Sequence, residues 1–248
     1  HRYSSKQGTS LSSKVRRLFQ QDLKQIDLLL VNGDYEVSAK EAVKLAGKWY
    51  EKAPNYELAR AIYYETKLFL YYLAPYEQKD LIIEIETFLN GVTEGSGENP
   101  LLVRLQAVHT FFKGDFEKSE TYFESALKIF PADILLHGYL ILSRIKAGKL
   151  DLAISALATL KKIDDKTYFI PYLNGLILAK NLKYQESINE FNEAIKINDK
   201  NIEIYYAKAD TMVNKWKEEG VAYLIAVFNQ YKKYASREQI AVSFLKLG

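Results

Sequence analysis

An all-α fold of stacked helix pairs is predicted by three features of the sequence. The first is a recurrence at a 34-residue step, in which Gly114-Asp115-Phe116, Gly148-Lys149-Leu150 and Leu182-Lys183-Tyr184 each open a segment. The second is the content of those segments. Ser119 and Ala126, Ala153 and Leu160, and Ser187 and Ala194 hold matching places, with large apolar Phe123, Leu157 and Phe191 between them and closures at Pro131, Asp165 and Asp199. The third is composition: 48% hydrophobic and 26% charged residues are ordinary for a globular chain that buries a core. A step of this length marks supersecondary units that bury their apolar faces against one another.

Each element follows in order. Ser13 to Val31 is an amphipathic first helix, and Asn32-Gly33-Asp34-Tyr35 is a turn into a second helix marked by Ser38, Ala42 and Leu45. Residues 55 to 90 hold two more helices split at Ala74-Pro75. Gly91 to Asn99 carries three glycines in nine residues and breaks the helical pattern. Asn99-Pro100 restarts it, with a capping side chain followed by a proline suited to the first turn. In the three regular segments, residues seven apart lie on one helix face, so small residues there let a partner helix approach while the aromatic fills the groove. Gly114 and Gly148 supply the backbone freedom that ends a first helix, and Pro131 cannot continue a second. Ile202 to Asn214 is a further first helix, after which Trp216-Lys217-Glu218-Glu219-Gly220 replaces the usual turn and the phase slips. Ser236 to Leu247 is a terminal amphipathic helix with Ser236 and Glu238 as capping groups.

These positions together resemble the tetratricopeptide repeat family. The family's small position in the first helix is met by Ala107, Gly175 and Ala209, with Ile141 departing from it. Its tryptophan position is filled by Val103, His137, Pro171 and Tyr205. The resemblance implies a right-handed superhelical solenoid of antiparallel helix pairs, about five to six repeats with a C-terminal capping helix, its end units degenerate where they meet water. The organisation expected is a flexible basic arm over 1–12, degenerate helical repeats over 13–90, a Gly-rich break at 91–98, the repeat array over 99–235 and the cap over 236–248.

Composition and charge remove several classes of function. The absence of cysteine excludes disulfides, thiolate catalysis and cysteine metal sites. Residues 1 to 21 hold Arg2, Lys6, Lys14, Arg16 and Arg17 without an acid, so the remaining body carries a net charge of −2 and offers no basic channel for nucleic acid. No apolar run approaches the roughly 20 residues of a membrane span. The first residue is His1 and methionine occurs only at Met212, which points to an upstream segment: a signal peptide, an anchor and another domain all fit. Cytoplasm and bacterial envelope are both open as locations. His109 and His137 fall on packing helices, Glu84 and Glu86 with Asp80 alternate around one helix, and no metal-protease, phosphate-loop or nucleophile-elbow motif occurs. No catalytic residue, cofactor or metal is expected, and nineteen tyrosines suit the half-buried positions of stacked helices.

Carried over from the resembled family by position, the first helices line a concave groove. Its residues here are Leu101, Arg104, Val108 and Phe111, then Leu135, Gly138, Leu142 and Ile145, then Phe169, Tyr172 and Leu176, with Tyr206 and Asp210 following. Arg104 is the one donor of the kind that clamps a terminal carboxylate, so a chaperone-tail clamp is disfavoured. Helices over 134–146 and 168–180 are apolar nearly all round, which places them in a covered core or under an apolar partner. Burying some 400 Å² of such surface supplies roughly 10 kcal/mol before association costs. The expected function is a non-enzymatic scaffold whose apolar groove holds a helix or extended segment of a partner protein. Self-assembly through the groove or terminal helix, and service as an accessory regulatory domain of a larger protein, are the alternatives.

Overall fold

The computed structural model describes residues 12–32, 38–73, 80–92 and 100–231, and among them twelve α-helices follow one another with no strand. They are α1 (Ser13–Asn32), α2 (Lys40–Lys52), α3 (Glu57–Leu73), α4 (Leu81–Val92), α5 (Pro100–Phe112) and α6 (Phe116–Leu127), then α7 (Ile134–Lys146), α8 (Leu150–Ile163), α9 (Phe169–Lys180), α10 (Tyr184–Ile197), α11 (Ile202–Lys215) and α12 (Lys217–Tyr231). The chain falls into two units: His1–Tyr71 with Tyr76–Leu136, and His137–Gly248 with Tyr72–Pro75. Residues 1–11 of the arm, the turn at Gly33-Asp34-Tyr35, the Ala74-Pro75 split, residues 93–99 of the Gly-rich break and the helix expected over 236–248 lie outside the described residues.

The 34-residue step is a repetition of backbone geometry. Gly114, Gly148 and Leu182 all take left-handed conformations, with φ of 86°, 76° and 61°. At each joint two hydrogen bonds close the preceding helix in the same way. The N–H groups of Gly114, Gly148 and Leu182 donate to the carbonyls of Phe111, Ile145 and Ala179, and those of Asp115, Lys149 and Lys183 reach back five residues to Thr110, Arg144 and Leu178. This pairing satisfies carbonyls that a helix end otherwise leaves bare. Asp115, Lys149 and Lys183 then open the second helices with nearly superposable dihedrals, (−86°, 78°), (−85°, 61°) and (−86°, 62°). The far ends repeat too. Asp164 and Asn198 each accept a hydrogen bond on the side chain from the N–H two residues on, at 2.9 and 3.2 Å.

Inside the pairs, the matched positions form the core. Ser119, Phe123, Ala126, Ala153, Leu160, Ser187, Phe191 and Ala194 are fully buried, while Leu157 is half-buried. In α9 the small residue Gly175 receives the Phe191 ring so closely that a Cβ would lie 2.6 Å from it, and Ser187 donates to the Gly175 carbonyl at 2.8 Å. Gly138 receives Phe169 in the same manner, at 2.8 Å. In the second unit α9 packs on α10, α10 on α11, and α9 also touches α11, so successive first helices meet.

The slip in phase expected over 216–220 takes another form. A single residue, Trp216, separates α11 from α12, and Lys217 to Gly220 are already helical. Gly220 permits this. A Cβ there would overlap the backbone nitrogen of Val213 and the carbonyl of Met212, so only glycine lets the two helices turn so sharply.

In the first unit, Phe19, Leu23, Ile26 and Leu30 make the buried stripe of α1, at the three-to-four-residue spacing of one helix face. Phe19 meets Trp49 of α2 edge-on at 5.1 Å, and the Trp49 indole donates to Asp22 at 2.7 Å. The stripe of α3 runs Leu58, Ile62, Glu65, Leu68 and Phe69, all buried, with a carboxylate in its middle.

Candidate functional site

Most of the residues expected to line the groove are buried. Leu101, Val108 and Phe111 of α5, Leu135 and Ile145 of α7, Phe169 and Tyr172 of α9, and Tyr206 of α11 are buried, so in this conformation their side chains are core. The nearly all-round apolar character of these helices is met by burial on more than one side. Three of the expected residues keep partial exposure: Leu142, Leu176 and Asp210. They occupy one and the same repeat position on α7, α9 and α11, all within the second unit. The structure thus brings together a ladder of equivalent, half-exposed first-helix positions, apolar twice and acidic once.

Arg104 takes part in a different arrangement. It is almost fully buried, and three of its nitrogens each reach a carboxylate of the first unit: Nη2 to Asp27 of α1 at 2.6 Å, Nε to Glu65 of α3 at 2.9 Å, and Nη1 to Asp133, just before α7, at 3.4 Å. Burial alone would pull the guanidinium's proton affinity down, but Asp27, Glu65 and Asp133 together hold it well above its usual value. Asp133 also accepts the N–H of Leu136 at 3.0 Å, capping α7. Asp27 has its affinity raised, first by burial and against the pull of Arg104. Glu65 is the extreme case, pushed up to about 7 because burial outweighs the attraction of Arg104.

Beside this cluster opens a groove of about 470 Å³ with Arg17, Gln20, Gln21 and Lys24 at its rim and Leu23, Phe130, Asp27 and Arg104 in its lining. On the other side of α5, His109 sits 3.6 Å from Glu86, which pairs with Lys113 at 2.6 Å. Burial, helped by Lys113, holds the imidazole's affinity below its usual value. Among the described residues no group of three histidine, aspartate or glutamate side chains is placed to hold a metal ion, and no helix is long and apolar enough to cross a membrane.

The partners of Arg104 escaped sequence reasoning. Asp27 and Glu65 stand 77 and 39 residues away from it in the chain. One signal was available: Glu65 falls on the apolar stripe of α3, where an unpaired acid is costly.

No family model matches the chain, and no curated protein matches it. Among solved structures it is similar to a MamA RS-1 double mutant, at 16% identity and a TM-score of 0.46 over 61% of this chain and 86% of that one. A MamA MSR-1 structure aligns at 17% identity and 0.43, covering 74% and 98%. A MamA AMB-1 structure aligns at 16% identity and 0.42, covering 69% and 98%.

Proposed function

We propose that this chain is a non-enzymatic protein-interaction scaffold that holds an apolar helix or extended segment of a partner protein along the first helices of its second unit. The observation that supports this reading is the coincidence of Leu142 and Leu176 in one repeat position, half-exposed, on helices whose neighbouring faces are already filled. Apolar positions repeated at a constant spacing suit a segment that offers anchors at regular intervals. Asp210, next along the same ladder, gives that surface a polarity and so a direction for the bound segment.

The test is a photo-crosslinking residue placed at position 142 of the full chain in its own cells. A discrete adduct that disappears when Leu176→Asp is added supports the reading. Leu142→Asp should lower partner capture at least tenfold while circular dichroism stays within a few per cent of the parent. A loss of helicity would instead mean that position 142 is core.

Self-assembly is a second reading, with its own observation. Ile163 and Ile197 end α8 and α10 at equivalent places and are both exposed, at 36% and 52%, each preceded by a lysine. Light scattering on the eluting peak separates the two: a monomer at micromolar concentration counts against assembly through this edge.

A further inference from the structure

We propose that the carboxylate cage around Arg104 is a pH sensor, binding one proton on Glu65 and using it to tighten the packing of α1, α3 and α5 in the first unit. The inference is independent of the scaffold reading and rests on the geometry of the cage. One cation faces three acids, so with every group ionised the cage holds two uncompensated negative charges. These three partners are the charged groups that act on Glu65 among the described residues: Arg104 from α5, Asp27 from α1 and Asp133 before α7. Arg17 and Lys24 stand at the groove mouth, and the His109–Glu86–Lys113 group forms a separate set.

The three acids are not equally placed to keep their charge. The Asp27 side chain is 33% exposed and can draw on water, and Asp133 has both Arg104 and the Leu136 N–H. Glu65 has neither kind of help. Its side chain is wholly buried, its Oε2 takes one hydrogen bond from Arg104, and its Oε1 has no hydrogen-bond partner. An ionised carboxylate needs donors at both oxygens to remain charged away from water. The cage therefore relieves its excess charge most cheaply at Glu65, in agreement with a proton affinity raised to about 7. The groove along α1 reaches Arg104 and Asp27 and gives protons a path to the cage.

The sign follows from linkage. An acid whose folded-state affinity is raised stabilises the fold fully below its unfolded value of 4.5, and that contribution is lost as pH rises through about 7. Between pH 6 and pH 8 this single group should raise the unfolding constant of the first unit about tenfold.

The experiment uses the full chain carrying Trp216→Phe, so that fluorescence reports Trp49 of the first unit. Urea unfolding is followed at pH 6 and pH 8, with and without Glu65→Gln. His109, its affinity held low, contributes its own pH dependence to both chains, so the expected result is a change from pH 6 to pH 8 that is about tenfold larger in the parent than in the glutamine variant, which carries the neutral shape permanently. Equal pH dependence in both chains overturns the proposal. Should Glu65→Gln fail to fold, the carbon-13 resonance of the Glu65 carboxyl in the unsubstituted chain decides. A titration centred between pH 6 and 8 supports the sensor, and one centred below pH 5, or none between pH 5 and 9, refutes it.

Discussion

At the scale of single residues, Leu182 carries the clearest cost. It is the one non-glycine residue with positive φ among the described residues, and its side chain is 70% exposed. A Cβ in the left-handed region costs about 1 to 2 kcal/mol, and exposure means that little packing is gained in return. Leu182→Gly should accordingly raise the stability of the second unit by about 1 kcal/mol, the greater flexibility of glycine in the unfolded chain offsetting part of the gain. A urea midpoint that stays put or falls would show that the side chain makes contacts its exposure hides. Gly114 and Gly148 could be read as joints from the sequence, because glycine is the residue that the geometry prefers. Leu182 was legible only through the 34-residue step, since no local propensity puts leucine there.

At the scale of helices, the joints differ in what holds them. The three regular turns are fixed by paired backbone hydrogen bonds, and their residues are interchangeable so long as φ is allowed. The α11–α12 joint depends instead on contact between backbones at Gly220. Gly220→Ala would drive a methyl group into main-chain atoms, which cannot rotate away as a side chain can. It should destabilise by about 3 kcal/mol, at the upper end of overpacking costs, against a much smaller effect for alanine at exposed, open Gly91. Thermal melts of the two variants make the comparison. Sequence reasoning placed an irregular turn here because five residues broke the repeat; what it lacked was the approach distance of the two helices, which no periodicity encodes.

At the scale of the whole molecule, the two units are held by different chemistry. The second unit is repetitive: Ala153, Leu160, Ser187, Phe191 and Ala194 fill equivalent places, and each was legible from spacing. The first unit joins α1, α3, α5 and the start of α7 through one guanidinium. Removing that charge leaves three carboxylates without their counter-ion, and breaking a buried pair typically costs about 3 to 5 kcal/mol. Arg104→Met should therefore lower the unfolding midpoint seen by Trp49, and a neutral outcome would mean that the cage already sheds its charge by protonation. In the sequence only Glu65, an acid on the apolar stripe of α3, hinted at this centre. Position placed Arg104 on a first helix, but its counter-ions depend on which helices stack, and that is settled by the tertiary arrangement. The same limit applied to the expected groove: spacing picks out its residues, while burial leaves only Leu142, Leu176 and Asp210 among them partly exposed.

The near-identity of the dihedrals at Lys149 and Lys183 has a consequence for how such a chain can change length. Splicing Gly148 directly to Lys183 would excise one whole module and leave a seam of the shape already present at both original sites. Duplication would be equally seamless, so unequal crossing-over could lengthen or shorten the protein without any new junction having to evolve.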